Sequence, residues 1–171
     1  MDKRTLAITA VITIAITVVM TLLSATGGGF ASSAGQQAPG EIAHKLTGPI
    51  LFHLATAAGA AILGPFILFR RKGDATHKTL GRIWAGLMVV TAISSAFIRT
   101  PGAGIAGTGF SYIHVFTVWT LVNIPLGIWA IRNKRTAMHR GMMTGLYVGL
   151  LIAGGFTFIP GRLLGNLVFG L

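Results

Sequence analysis

The chain has 171 residues, 53% hydrophobic and 10% charged, with a formal net charge of +11. A soluble domain carries about 25% charged residues, so this chain lacks the polar cover for a wholly aqueous surface, and part of its outside must face lipid. It contains no cysteine, which excludes disulfides, thiolate metal sites and covalent c-type haem attachment.

The first apolar run covers residues 5–24, behind Met1-Asp2-Lys3-Arg4. The opening resembles a secretion signal, but the run exceeds the usual apolar region of ~7–15 residues. Residues 1–26 are therefore expected to form an uncleaved transmembrane anchor. Cleavage would leave the remaining spans in the same orientation. Residues 27–46, rich in Gly, Ala, Ser and Gln, predict an outside loop.

Four further apolar runs follow, at 47–69, 81–98, 112–131 and 142–159. All five measure between 18 and 23 residues, and a helix needs about 20 to cross the hydrocarbon. Backbone groups in lipid must bond within their own segment, so these are helices. The expected fold is an all-α membrane protein with five transmembrane helices. Residues 47–171 form a four-helix bundle. Pro65 and Pro125 should bend the second and fourth spans. Residues 101–109 form a second Gly-rich outside loop. The tail, 163–171, is too short to span. It either lies in the interface or finishes the fifth helix after a break at Pro160-Gly161.

Lys and Arg set the orientation. Eleven of them (Lys3, Arg4, Arg70, Arg71, Lys72, Lys78, Arg82, Arg132, Lys134, Arg135, Arg140) share one face of a five-span arrangement, and only Lys45, Arg99 and Arg162 take the other. Positive loops stay in the cytoplasm. This predicts a bacterial inner (plasma) membrane protein with its N-terminus cytoplasmic and its C-terminus outside. The basicity is thus a topology signal, and nucleic acid is not an expected partner.

Histidine carries the functional signal. His44 is alone in the outside loop and is given no role. His53 and His114 lie near the outer ends of the second and fourth spans, at similar depth, while His77 and His139 open the third and fifth on the cytoplasmic side. The pattern repeats: 24 residues separate His53 from His77, and 25 separate His114 from His139. A proline follows each first histidine by 12 or 11 residues, and each second histidine precedes a base, Lys78 or Arg140. The bundle is thus expected to consist of two related hairpins with a histidine pair near each face. Internal symmetry of this kind builds one site from two halves.

Two imidazoles on facing helices suit bis-histidine ligation of haem iron. A porphyrin-free copper or zinc site is an alternative, although zinc prefers three or four protein ligands. On the face of His53 lie Thr56, Ala57, Ala60, Ala61 and Gly64, small enough to leave room for a flat macrocycle; the face of His77 holds Leu80, Gly81, Trp84, Ala85 and Met88. The His114 face, taken as Thr117, Val118, Leu121 and Val122, is bulkier. Lys78, Arg82 and Arg140 inside, with Arg99 and Arg162 outside, are candidate partners for haem propionates.

Four histidines on spans two to five resemble the cytochrome b561-like di-haem membrane proteins, over residues 47–162. That resemblance implies His53 with His114 as one ligand pair and His77 with His139 as the other, carrying electrons between two b haems. His77 and His139 depart from that family in lying at the membrane edge. The segments His77-Lys-Thr-Leu-Gly-Arg82 and Met138-His-Arg-Gly-Met-Met143 also resemble an uncharacterised family of bacterial multi-pass proteins, and are similar to the His-basic motifs of haem A synthase.

Other chemistries lack their residues. The acids are Asp2, Glu41 and Asp74, all outside the spans, so no carboxylate serves a proton relay or orients a catalytic histidine. No Gly-rich phosphate loop follows a strand. Trp84, Trp119, Trp129, Tyr112 and Tyr147 are expected in the core or the interfacial belt. Two functions remain as expectations. One is a haem b electron-transfer protein that oxidises quinol or another small reductant. The other is a non-catalytic subunit of a larger respiratory or photosynthetic complex, packed through Gly59-Ala60-Ala61 and the Gly145/Gly149 face.

Overall fold

The computed structural model describes residues 48–98, 113–158 and 163–169. The predicted first span, the loops 27–46 and 101–109, and His44, Lys45, Arg99, Tyr112 and Arg162 all lie outside the described residues. Helices are α1 (Gly48–Phe69), α2 (Ala75–Ser95), α3 (Ile113–Arg132), α4 (Thr136–Phe156) and the short α5 (Leu163–Phe169).

The four long helices form a ring. α1 packs most extensively on α2, and α3 on α4; α2 meets α3, and a lighter contact of α1 with α4 closes the circuit. The two predicted hairpins are therefore the two tightest pairs. α1 with α3, and α2 with α4, stand on the diagonals.

Among the described residues, Gly48–Phe69 and His114–Arg132 are long and apolar enough to cross a membrane. α2 and α4 are more polar, because their N-terminal portions carry His77, Lys78 and Arg82, or His139 and Arg140. These helices also begin earlier than the apolar runs at 81 and 142. An apolar window reports only where hydrocarbon contact starts, and the helices extend beyond it into the basic end. Asp74 starts α2: its Oδ1 accepts the His77 backbone N–H at 2.6 Å.

Large apolar side chains cover the outside. Phe52, Ile62 and Phe66 on α1, Ile83 and Ile93 on α2, and Val118 and Val122 on α3 are all exposed. A water-facing helix would not present such a patch. Inside, Ala60, Trp84, Met88, Ile124, Leu146, Tyr147 and Leu150 fill the middle of the ring.

Both prolines sit within unbroken helices, α1 and α3. Pro65 has no N–H, which strips the Ala61 carbonyl of its helical donor. Tyr147 Oη–H, reaching across from α4, donates to that carbonyl at 3.1 Å. The same ring lies so close to Gly64 that a Cβ there would overlap it. A similar approach joins α3 to α4, where Met143 lies on Gly127. Glycine at these two points lets the helices close on each other.

The basic-end turns are stabilised by their own cations. Lys72 Nζ donates to the carbonyls of Ile67, Leu68 and Arg70, capping α1. α3 ends in a Schellman turn: Arg135 N–H donates to Ala130 at 2.8 Å and Lys134 N–H to Ile131 at 3.1 Å. Lys134 takes the left-handed position, with φ 59°. At the other end, Gly165 N–H donates to the Thr157 carbonyl at 3.1 Å. The spacing exceeds that of helical bonds, so α5 folds back on the end of α4 and does not extend it.

Candidate functional site

The ring arrangement sorts the histidines into two layers. His77 in the first turn of α2 and His139 in the first turn of α4 are electrostatic neighbours. Their proximity also puts both hairpin turns at one end of the bundle. His53, in the second turn of α1, and His114, in the first turn of α3, lie at the other end. All four rings are partly buried. The predicted pairs are thus the diagonal ones, with the apolar middle of the bundle between them.

Each ring has its own surroundings. His53 Nδ1–H donates to the Thr91 carbonyl at 3.0 Å and to Ser94 Oγ at 3.0 Å. Ser94 Oγ–H is itself committed to the Thr91 carbonyl at 2.9 Å, so its oxygen accepts from the ring. His139 Nδ1–H donates to the Gly127 carbonyl at 3.0 Å. A carbonyl only accepts, which puts the proton on Nδ1 in both rings. The lone pair is left on Nε2, the tautomer that a metal-ligating imidazole needs.

His77 Nδ1 is buried and makes no hydrogen bond among the described residues. Its pKa is lowered, first by burial and then by repulsion from Lys72 and from His139 in its protonated form, against the smaller opposite pull of Asp74 and the Ile67 carbonyl. A neutral ring with a buried, unmatched nitrogen suits coordination better than salt bridging. His114 has a buried Nε2. Thr117, one turn further along α3, shares a 2.6 Å hydrogen bond with Ser95 of α2, which fixes the α2–α3 register at that level.

The predicted faces need correction. Thr56, Ala57, Ala60, Ala61 and Gly64 do turn inward on α1, as do Trp84, Ala85 and Met88 on α2, whereas Leu80 is half-buried and a Cβ at Gly81 would meet open space. On α3, Val118 and Val122 point outward, 61% and 50% exposed. The buried stripe runs instead through Thr117, Thr120, Asn123, Ile124, Gly127 and Ala130. The side of α3 facing its neighbours is therefore smaller and more polar than the sequence suggests. Lys78, Arg82 and Arg140 are exposed at the basic end.

Sequence reasoning missed the hydroxyl partners. Thr91 Oγ1–H donates to Thr56 Oγ1 at 2.9 Å, and Thr56 Oγ1–H to the His53 carbonyl at 3.0 Å. The signal was present in Thr91, Ser94 and Ser95, polar residues at helical spacing inside an apolar run. Among the described residues, no group of three His, Cys, Asp or Glu converges on a metal position.

An all-helical bundle with an apolar outside, cationic turns at one end and histidines inside is a multi-pass membrane protein. Residues 50–168 match the family described as Predicted membrane protein (DUF2306), and the chain belongs to that family. The match spans the four-helix ring. No curated protein and no solved structure matches the chain.

Proposed function

We propose that this protein is a transmembrane electron carrier that would hold one or two b-type haems, with His53 and His114 as one ligand pair and His77 and His139 as the other. The observation that carries the reading is the anchoring of Nδ1 in His53 and His139 on main-chain carbonyls, which turns Nε2 into the free ligand. The unmatched His77 Nδ1 fits the same chemistry. Haem, when bound, supplies one-electron transfer without a proton-carrying side chain. This agrees with a bundle whose described residues include Asp74 as their single carboxylate, outside the spans.

The chain's own groups orient the rings, exclude water and set the charge around them. Lys78, Arg82 and Arg140 stand at the end where propionates from the His77–His139 level would emerge, and the sequence assigns Arg99 and Arg162 to the opposite end. In this reading the basic end is cytoplasmic in a bacterial inner membrane. The run at 5–24 is a fifth crossing, and a quinol or other small reductant supplies electrons. The subunit alternative loses its main support. Ala60, Gly145 and Gly149 are buried inside this chain, so those faces are not left over for a partner.

The test is a dithionite-reduced minus oxidised spectrum of protein made with ample haem. Sharp b-type bands are expected. His53→Ala and His114→Ala should each remove the same component, and His77→Ala and His139→Ala the other. Bands absent from well-folded wild-type protein would refute the reading.

A further inference from the structure

We propose that the basic end of the bundle is a seat for anionic phospholipid headgroups. Nine cations are exposed there: Arg70, Arg71, Lys72, Lys78, Arg82, Arg132, Lys134, Arg135 and Arg140. Three are already engaged. Arg70 pairs with Asp74 at 3.3 Å, Lys72 caps α1, and the Arg135 guanidinium lies 4.8 Å from the centre of the Trp129 ring. The other six (Arg71, Lys78, Arg82, Arg132, Lys134 and Arg140) have no carboxylate partner among the described residues. The whole chain has only two further acids, Asp2 and Glu41, so its own anions cannot balance them.

The neighbours of these cations decide what kind of anion fits. Phe69, which precedes Arg70 and Arg71 in the chain, is 91% exposed; Ile83, next to Arg82 in sequence, and Ile131, next to Arg132, are also exposed. Trp129, half exposed, stacks with Arg135 at the same level. The exposed cations therefore share this end of the bundle with outward-facing apolar side chains. A soluble polyanion would meet only the charges. An anionic lipid meets both, with its phosphate on the cations and its acyl chains along Phe69, Ile83 and Ile131. Where Lys78, Arg82 and Arg140 meet haem propionates, as in the proposed function, Arg71, Arg132 and Lys134 are the cations left for lipid.

The full chain should be reconstituted in vesicles of phosphatidylcholine with a minor share of phosphatidylglycerol, and retained lipid measured by native mass spectrometry. Phosphatidylglycerol should be enriched about fivefold or more, the effect of one well-placed cation at a surface. The enrichment should shrink as salt rises and survive excess inorganic phosphate. Two charge-removed variants follow, one with R71Q, K78Q and R82Q and the other with R132Q, K134Q and R140Q. Each should lose part of the preference, and matched Arg/Lys exchanges should keep it. Equal retention of the two lipids, indifference to salt, displacement by phosphate alone, or full preference in both variants would overturn the proposal. The wild-type salt titration keeps it refutable if a variant fails to fold.

Discussion

Pro65 and Tyr147 offer a double-mutant cycle with a definite expected sign. Proline at 65 leaves the Ala61 carbonyl without its helical donor, and Tyr147 Oη–H fills the gap at 3.1 Å. Tyr147 is 9% exposed, so water does not readily replace the hydroxyl. Leaving a buried acceptor unmatched costs about 1–3 kcal/mol in water-soluble proteins. Interhelical bonds in membrane bundles run lower, averaging about 0.6 and reaching about 1.7 kcal/mol. Tyr147→Phe should therefore cost about 1 kcal/mol, near the upper part of that range because the carbonyl has no helical alternative. In a Pro65→Ala background the helix supplies an N–H of its own, and Tyr147→Phe should cost close to nothing. The ring still rests on Gly64 in both backgrounds, so its packing cancels from the difference. SDS titration in mixed micelles, followed by far-ultraviolet circular dichroism, measures all four corners. Equal costs in the two backgrounds would refute the claim that tyrosine compensates for proline.

Lys134→Gly should stabilise the protein by about 1 kcal/mol, since a lysine at φ 59° bears the left-handed penalty that glycine avoids; a lower thermal midpoint in detergent would contradict this. Asp74→Ala should lower the midpoint by removing the α2 cap. The His77 backbone N–H and Arg70 hold the Asp74 carboxyl below its ordinary 3.8, so its contribution is present above that pH and fades as pH falls through the folded value. The acid limb of the wild-type stability curve should therefore be shallower in Asp74→Ala. His77 has the opposite charge type but the same slope: its folded pKa lies below 6.5, so unfolded chains take up the proton first and stability drops as pH falls below 6.5. His77→Asn, measured without cofactor between neutral and mildly acidic pH, should flatten that drop.

Much of this molecule could be read from residue order alone, because lipid imposes few solutions. Apolar length located α1 and α3 to within a residue or two, and the tandem His spacing revealed the hairpins. The starts of α2 and α4 were less legible, since a helix continues past the hydrocarbon edge wherever a cap such as Asp74 permits. The inward side of α3 was misjudged for a related reason. The row at every fourth residue from His114 leads to Val118 and Val122, whereas neighbours on both sides select the Thr117–Thr120–Ile124 stripe. In lipid, apolar character does not mark the inside, so only packing reveals it. The carbonyl anchors of His53 and His139 were not visible at all, because main-chain acceptors carry no letter in the sequence.

The apolar plug of Trp84, Met88, Ile124 and Leu146 has an electrical consequence. Hydroxyls line the half towards His53 and His114, and cations ring the opposite end, so polarisable groups flank the plug on both sides. A potential drops most steeply where the dielectric is lowest. Across this bundle that cross-section is the plug. The layers lie fourteen residues of α2 apart, about 21 Å at about 1.5 Å per residue, and a charge shuttled between them would feel most of the membrane voltage, about 2.3 kcal/mol for each 100 mV at full drop. The plug is thus the insulating layer between the two imidazole levels.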